Sequence, residues 1–117
     1  MTLTNEKAFE SYELLVSLGN ETGKLGFAIM KNVRKLGTEL EEFMAKRNEL
    51  FKKYGTEEDG VYTVPAEKVP AFLEEYKTYS EIEMEFQPHL IDEDVFCSGG
   101  LTSEQMLTLE WMVKEEE

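Results

Sequence analysis

The chain has 117 residues, 41% of them apolar and 32% charged, with a formal net charge of -13. That length supports one hydrophobic core rather than two independent ones, and the apolar fraction excludes a wholly disordered chain. The negative field also disfavours direct nucleic-acid binding, where affinity comes from cations that displace counterions from the phosphates.

The first predicted element runs from Thr4 to Leu18, with Phe9, Tyr12, Leu14, Leu15 and Val16 on one face and Thr4 or Asn5 as N-cap. Gly19-Asn20 ends it, and the short run to Gly26 turns the chain back on itself as an antiparallel αα-hairpin. The second arm is the centre of the reading. Ile29, Val33, Leu36, Leu40, Phe43, Arg47, Leu50 and Tyr54 follow one another at steps of four and three, which keeps them on one stripe of a single helix over residues 25–54. Gly37 in its middle costs roughly 1 kcal/mol relative to Ala and implies a close contact or a bend. Glu42/Lys46 and Glu49/Lys53 are spaced for helix-surface ion pairs.

Gly55 caps that helix, and 56–60 reads as a polar turn leading into a strand at Val61-Tyr62-Thr63-Val64. Pro70 fits the first turn of a third helix, whose apolar face is Phe72, Leu73, Tyr76 and Tyr79. Glu81-Ile82-Glu83-Met84-Glu85-Phe86 alternates strictly and predicts a strand with one wet face, paired to residues 61–64. Residues 87–100 read as irregular, pinned by Leu90, Ile91, Val95 and Phe96. A C-terminal helix starts with a Thr102/Gln105 capping box and a Leu101–Met106 staple, packs back on the long helix, and ends before a frayed tail at 115–117. The expected fold is therefore α+β and mostly helical, one domain over 1–117, with a near-neutral hairpin (1–55) and an acidic half (56–117).

The charge split is sharp. Residues 1 to 56 carry nine Lys/Arg against eight Glu (+1), and residues 57 to 117 carry three Lys against seventeen Asp/Glu (-14), which sum to -13. Glu81, Glu83 and Glu85 project from one strand face at about 7 Å intervals, near twice the ~3.4 Å nucleotide spacing, so the row can imitate a nucleic-acid backbone. With Asp92, Glu93 and Asp94 they form the candidate surface for a partner with a basic face; the plainer reading is that edge-strand charges prevent aggregation.

No residue set carries a catalytic or metal signature, and no cofactor is expected. Arg47 is read as structural, paired to an acid of the second half such as Glu75 or Glu83. His89 is the only histidine and reads as a polar loop residue, and Cys97 as a half-buried apolar thiol with no activating cation. Asp92-Glu93-Asp94 and Glu57-Glu58-Asp59 lack the ligand spacing of a calcium loop, and Gly99-Gly100 lacks the Lys-Ser/Thr of a phosphate loop. The single cysteine, the absence of a signal-peptide pattern and the lack of any apolar run near the ~20 residues of a membrane span lead us to expect a cytosolic protein without membrane contact.

The order of parts resembles a family of small, functionally uncharacterised proteins of phages and prophages in bacteria. The residues that carry the resemblance are Lys31-Asn32-Val33-Arg34-Lys35-Leu36, Glu39-Leu40-Glu41-Glu42-Phe43, Arg47-Asn48-Glu49-Leu50, Lys52-Lys53-Tyr54-Gly55, Phe72-Leu73-Glu74-Glu75, Ile82-Glu83-Met84, Leu101-Thr102 and Leu109-Glu110-Trp111-Met112. These motifs are structural rather than chemical, so the resemblance implies genomic context, a bacterial host cell, more than an activity. With the acidic half it leads to two expectations. One is a non-enzymatic inhibitor of a host anti-phage effector of nuclease or CRISPR type; the other is an assembly or accessory protein that binds a virion protein through an apolar helical surface.

Overall fold

The computed structural model describes residues 1–115, and among them the fold is α+β and mostly helical. In chain order it contains β1 (Thr2–Thr4), α1 (Asn5–Ser17), α2 (Gly23–Glu39), α3 (Glu41–Tyr54), β2 (Thr56–Glu58), β3 (Val61–Thr63), α4 (Val69–Ser80), β4 (Glu83–Glu85), α5 (Glu93–Cys97) and α6 (Ser103–Leu109). Short 3-10 turns precede α4 at Ala66–Lys68 and follow α6 at Glu110–Met112.

Thr4 ends β1 and caps α1, its hydroxyl accepting the Lys7 N–H at 3.2 Å. The buried line of α1 is Ala8, Ser11 and Leu15, whereas Val16, expected on that face, is exposed. Phe9 and Tyr12 flank the line. Tyr12 lies over Gly37 and Phe9 meets Phe43 edge-on at 5.9 Å, so residue numbers fall along α1 as they rise along its partner: the hairpin is antiparallel.

The long helix is interrupted once. Leu40, at φ -92° and ψ 0°, ends α2 and starts α3, although its N–H still donates to Leu36 and its carbonyl still accepts from Met44, both at 2.8 Å. Its side chain is fully buried in the joint. Just before it the Thr38 hydroxyl donates back to the Arg34 carbonyl at 3.1 Å, a bond known to bend helices. Gly37 is not the cause of any close approach, because a Cβ there would sit 3.5 Å from the Tyr12 ring, ordinary van der Waals contact. Nor are the surface ion pairs those expected: Lys46 bridges Glu49 at 3.4 Å, and Lys53 leaves its own helix for Glu75 at 3.0 Å.

Strand pairing also differs from the expected pattern. β2 and β3 form a local antiparallel hairpin, with Thr56 opposite Thr63, closed by Asp59 (φ 51°) and Gly60 (φ 81°). Two left-handed residues in an Asp-Gly loop match the right-handed twist of flanking strands, so residues 61–64 find their partner beside them rather than at 81–86. β4 pairs instead with β1, antiparallel, Thr2 opposite Glu85 and Thr4 opposite Glu83. The ladder extends to both sides, through Phe86 N–H to Met1 C=O at 2.8 Å and Asn5 N–H to Ile82 C=O at 2.9 Å.

The second half is tied to the helices in several places. α4 starts with Pro70 in its first turn as expected and buries Phe72, but Leu73 faces out. Phe72 contacts Phe51 and Tyr54 of α3 with ring centroids 5.0 and 6.1 Å apart. Within the stretch expected to be irregular, Glu93–Cys97 forms the short helix α5 with Phe96 buried. The Thr102/Gln105 capping box is present, and Leu101 and Met106 join the core. α6 gives way to a 3-10 turn that swings Trp111 onto α1, its indole N–H donating to the Ser11 hydroxyl at 3.2 Å. The C-terminal segment thus packs on the first helix, not on the long one. It closes by a parallel bridge between Ile91 and Val113. Of the tail expected to fray, Glu116 and Glu117 lie outside the described residues.

Candidate docking surface

The six candidate acids fall into separate places. Glu81 is not on a strand: it is the residue that ends α4, in helical conformation, its carboxylate 3.7 Å from Lys77. The strand is three residues shorter than its alternating pattern because Ile82 N–H is still bonded to Tyr79 C=O, and Ile82 itself is exposed.

Glu83 and Glu85 do share a face. The bonds at Met1/Phe86 and Asn5/Ile82 make 2/85 and 4/83 the non-hydrogen-bonded pairs of the ladder, in which cross-strand side chains approach most closely. The outer face is therefore a square of Thr2, Thr4, Glu83 and Glu85, with Leu3 and Met84 turned to the core. Thr2 Oγ1 donates to Glu85 at 2.6 Å, which holds one carboxylate in place while leaving it exposed.

Asp92, Glu93 and Asp94 lie elsewhere, at the N-terminal turn of α5, where their charge complements the helix dipole. Asp92 faces Lys114 at 3.7 Å. The segment between the two acidic groups is anchored, not free. Phe86 and Ile91 are buried, and the Asn32 amide bonds both backbone groups of His89, accepting its N–H at 2.8 Å and donating to its carbonyl at 3.0 Å. The Lys35 ammonium adds a bond to the Gln87 carbonyl at 3.2 Å. His89 stands half-buried with its ring edge-on to Phe27, 5.7 Å between centroids.

Among the described residues Arg47 pairs with no acid. Its guanidinium lies between the Phe9 and Phe51 rings, 4.9 and 4.8 Å from their centroids, and so fastens α1 to α3. Glu75, the acid expected for it, is bonded by Lys53 and by the Tyr54 hydroxyl. Those donors lower the Glu75 pKa, the Tyr54 bond most, and the same carboxylate raises Tyr54 and Lys53. Cys97 is exposed rather than half-buried, because the helix that carries it turns Phe96, not Cys97, inward.

Sequence reasoning passed over two features of this surface. One is the β2–β3 hairpin, which displays Glu57, Glu58 and Asp59 to solvent; its Asp-Gly turn was the available signal. The other is an open groove of about 880 Å³ between α1 and the C-terminal segment, with Met1, Leu90, Leu107 and Trp111 on its walls. Among the described residues no three His, Cys, Asp or Glu side chains converge as metal ligands, and no helix is long and apolar enough to cross a membrane. No protein-family model matches the chain, and no curated protein or solved structure matches it, so the chemistry of the surface rests on its own residues.

Proposed function

We propose that this is a non-enzymatic binding protein, encoded by a phage or prophage and acting in the bacterial cytosol. Its acidic half occupies the basic surface of a host nucleic-acid-binding defence effector, a nuclease or a CRISPR-type complex, and competes there with nucleic acid. The observation that carries the reading is the β1–β4 face: Glu83 and Glu85 sit exposed about 7 Å apart on a hydrogen-bonded ladder. Around it the residues from 57 onward supply the field, three Lys against seventeen Asp/Glu. Such a field acts mainly on encounter rate.

A partner is first captured from phage-infected host lysate on the tagged chain, and its association is then followed at increasing salt. Association should slow steeply once the Debye length falls to ~8 Å, and Glu83→Lys with Glu85→Lys should slow it further with the fold intact. Glu81 is left unchanged because it ends α4. Affinity that stays flat with salt, with the double reversal still bound, would refute the mimic. That result is what the second reading expects. An assembly protein that grips a virion protein would use the apolar side chains of the mixed groove beside α1, where Leu107 is 70% exposed, and Leu107→Asp would abolish binding instead.

A further inference from the structure

α2 presents a face that the core does not use. Phe27 and Met30, 50% and 38% exposed, lie on it with Lys24, Lys31 and Arg34. No acid occurs from Thr22 to Thr38, in a chain with twice as many acids as bases. The Lys31 ammonium lies 5.6 Å from the centre of the Phe27 ring, so cation and apolar surface form one patch. Along one side of this face runs a groove of about 610 Å³, walled by Lys24 and Phe27 on the helix and by Leu90, Asp92, Val95 and Lys114 across from it, with the Lys114 ammonium 3.7 Å from the Asp92 carboxylate. Glu93 and Asp94 continue the acidic rim beyond Asp92.

The patch therefore has an apolar centre with a basic margin on α2 and an acidic margin on α5. A two-fold interface requires that residue i of one copy meet residue j of the other while j meets i. A two-fold axis through this groove would bring the α2 cations of each copy toward the Asp92–Asp94 acids of its partner, Asp92 being shared with its own Lys114, and would bury Phe27 and Leu90 between them. We infer that the α2/α5 groove is the seat of a second copy of this chain, forming a two-fold homodimer held by an apolar centre and two reciprocal sets of ion pairs. The occupant is the chain itself because the groove's opposite wall carries a net acidic excess, Asp92, Glu93 and Asp94 against Lys114, that complements the α2 cations. The net charge of -13 opposes approach at long range. At physiological salt that repulsion is screened beyond ~8 Å, whereas contact pairs are screened less. Glu83 and Glu85 take no part in this arrangement, and the α2 variants leave every acid of the second half in place, so those variants separate the dimer from the proposed docking on a basic partner.

Sedimentation velocity from about 5 to 500 µM, the range in which small interfaces associate, tests the inference. The apparent mass should rise with concentration from 13.5 kDa toward twice that value. Lys24→Glu with Lys31→Glu makes both margins acidic, and Asp92→Lys with Glu93→Lys makes both basic. Each double variant should dimerise more weakly by on the order of 100-fold, while circular dichroism melts confirm folding. An equimolar mixture of the two variants should dimerise again, because each basic margin then meets an acidic one. Phe27→Asp should be monomeric and unaffected by mixing. Wild-type chain that stays at monomer mass throughout overturns the inference. So do double variants that dimerise like wild type, or a mixture that stays monomeric.

Discussion

Asn32 is a fully buried amide in the middle of α2, and its replacement is the sharpest test of how the second half is held. Both bonds run to one residue: Oδ1 accepts the His89 N–H and Nδ2 donates to the His89 carbonyl, as a neighbouring strand would. Asn32→Leu is close in size but strands both backbone groups, at about 1–3 kcal/mol for each if water does not replace the amide. Partial access of water to this half-buried loop brings the expected total to about 2–4 kcal/mol, or ~10 °C in Tm for a chain of this length. Asn32→Asp keeps the acceptor but sets a carboxylate against the His89 carbonyl, and should cost at least as much at neutral pH. Urea melts give the free energies, and hydrogen exchange at the His89 amide reports the local bond. Asn32→Leu within about 0.5 kcal/mol of wild type, with His89 protection unchanged, would mean that the clamp does not hold the loop.

Leu40→Ala and Phe43→Ala should each destabilise by about 2–5 kcal/mol in denaturant melts, since both are buried at the helix joint, whereas exposed Glu42→Ala should cost far less. Gly37→Ala should stabilise by about 0.5–1 kcal/mol, because its Cβ meets only the Tyr12 ring at ordinary distance; destabilisation would mean that the Tyr12 contact is tighter than it looks. Arg47→Ala should cost about 1–2 kcal/mol through two lost cation–π contacts, with Arg47→Met recovering part of it by packing; equal loss in both variants would assign the effect to charge alone. Glu75 has a lowered folded-state pKa, so its contribution is present at pH above the ordinary carboxylate range and is lost as pH falls through the lowered value. The urea-midpoint difference between wild type and Glu75→Gln should therefore shrink on acidification, and a difference constant with pH would contradict the Tyr54 and Lys53 bonds.

Local chemistry was legible in the sequence wherever a few adjacent residues decide it. Pro70 in a first turn and the Thr102/Gln105 capping box are short-range geometry and appear as expected, and of the two N-cap candidates Thr4 and Asn5 it is Thr4 that caps α1. The stripe from Ile29 to Leu50 also marks the buried side of the central helices. Partners across the chain were not legible. Three residues, Thr2 to Thr4, are too few to carry a strand pattern, so the sequence points β4 to residues 61–64 rather than to β1. The break at Leu40 leaves the 4-3 pattern intact, because the helix resumes with its bonds in register. Arg47 read as half of an ion pair because charge is visible in sequence, whereas a slot between Phe9 and Phe51 depends on where α1 lies. Asn32 carries a signal of its own: it falls on the buried line Leu25, Ala28, Ile29, Leu36, where a polar residue needs a partner. The acidic row was read from strand alternation alone. That alternation holds for Glu83 and Glu85 and fails at Glu81, where the last turn of α4 keeps its bonds.

The division of charge along the chain is not a division in space. Fourteen net negative charges over residues 57–117 would repel one another if that half stood alone. Cations of the first half reach into it instead. Lys53 bonds Glu75, Lys46 lies 4.9 Å from the centre of the Tyr79 ring, and Lys35 donates to the Gln87 carbonyl. Exposed pairs of this kind contribute little stability one by one, typically below ~1 kcal/mol. Their placement matters more than their strength, because all three come from one side, that of α2 and α3. On that side the Glu75 carboxylate meets Lys53, while Glu83 and Glu85 on the β1–β4 face meet Thr4 and Thr2. Folding thus sets three of the first half's cations against the inner side of the acidic half, while the Glu83 and Glu85 side chains on the outer side face hydroxyls and solvent.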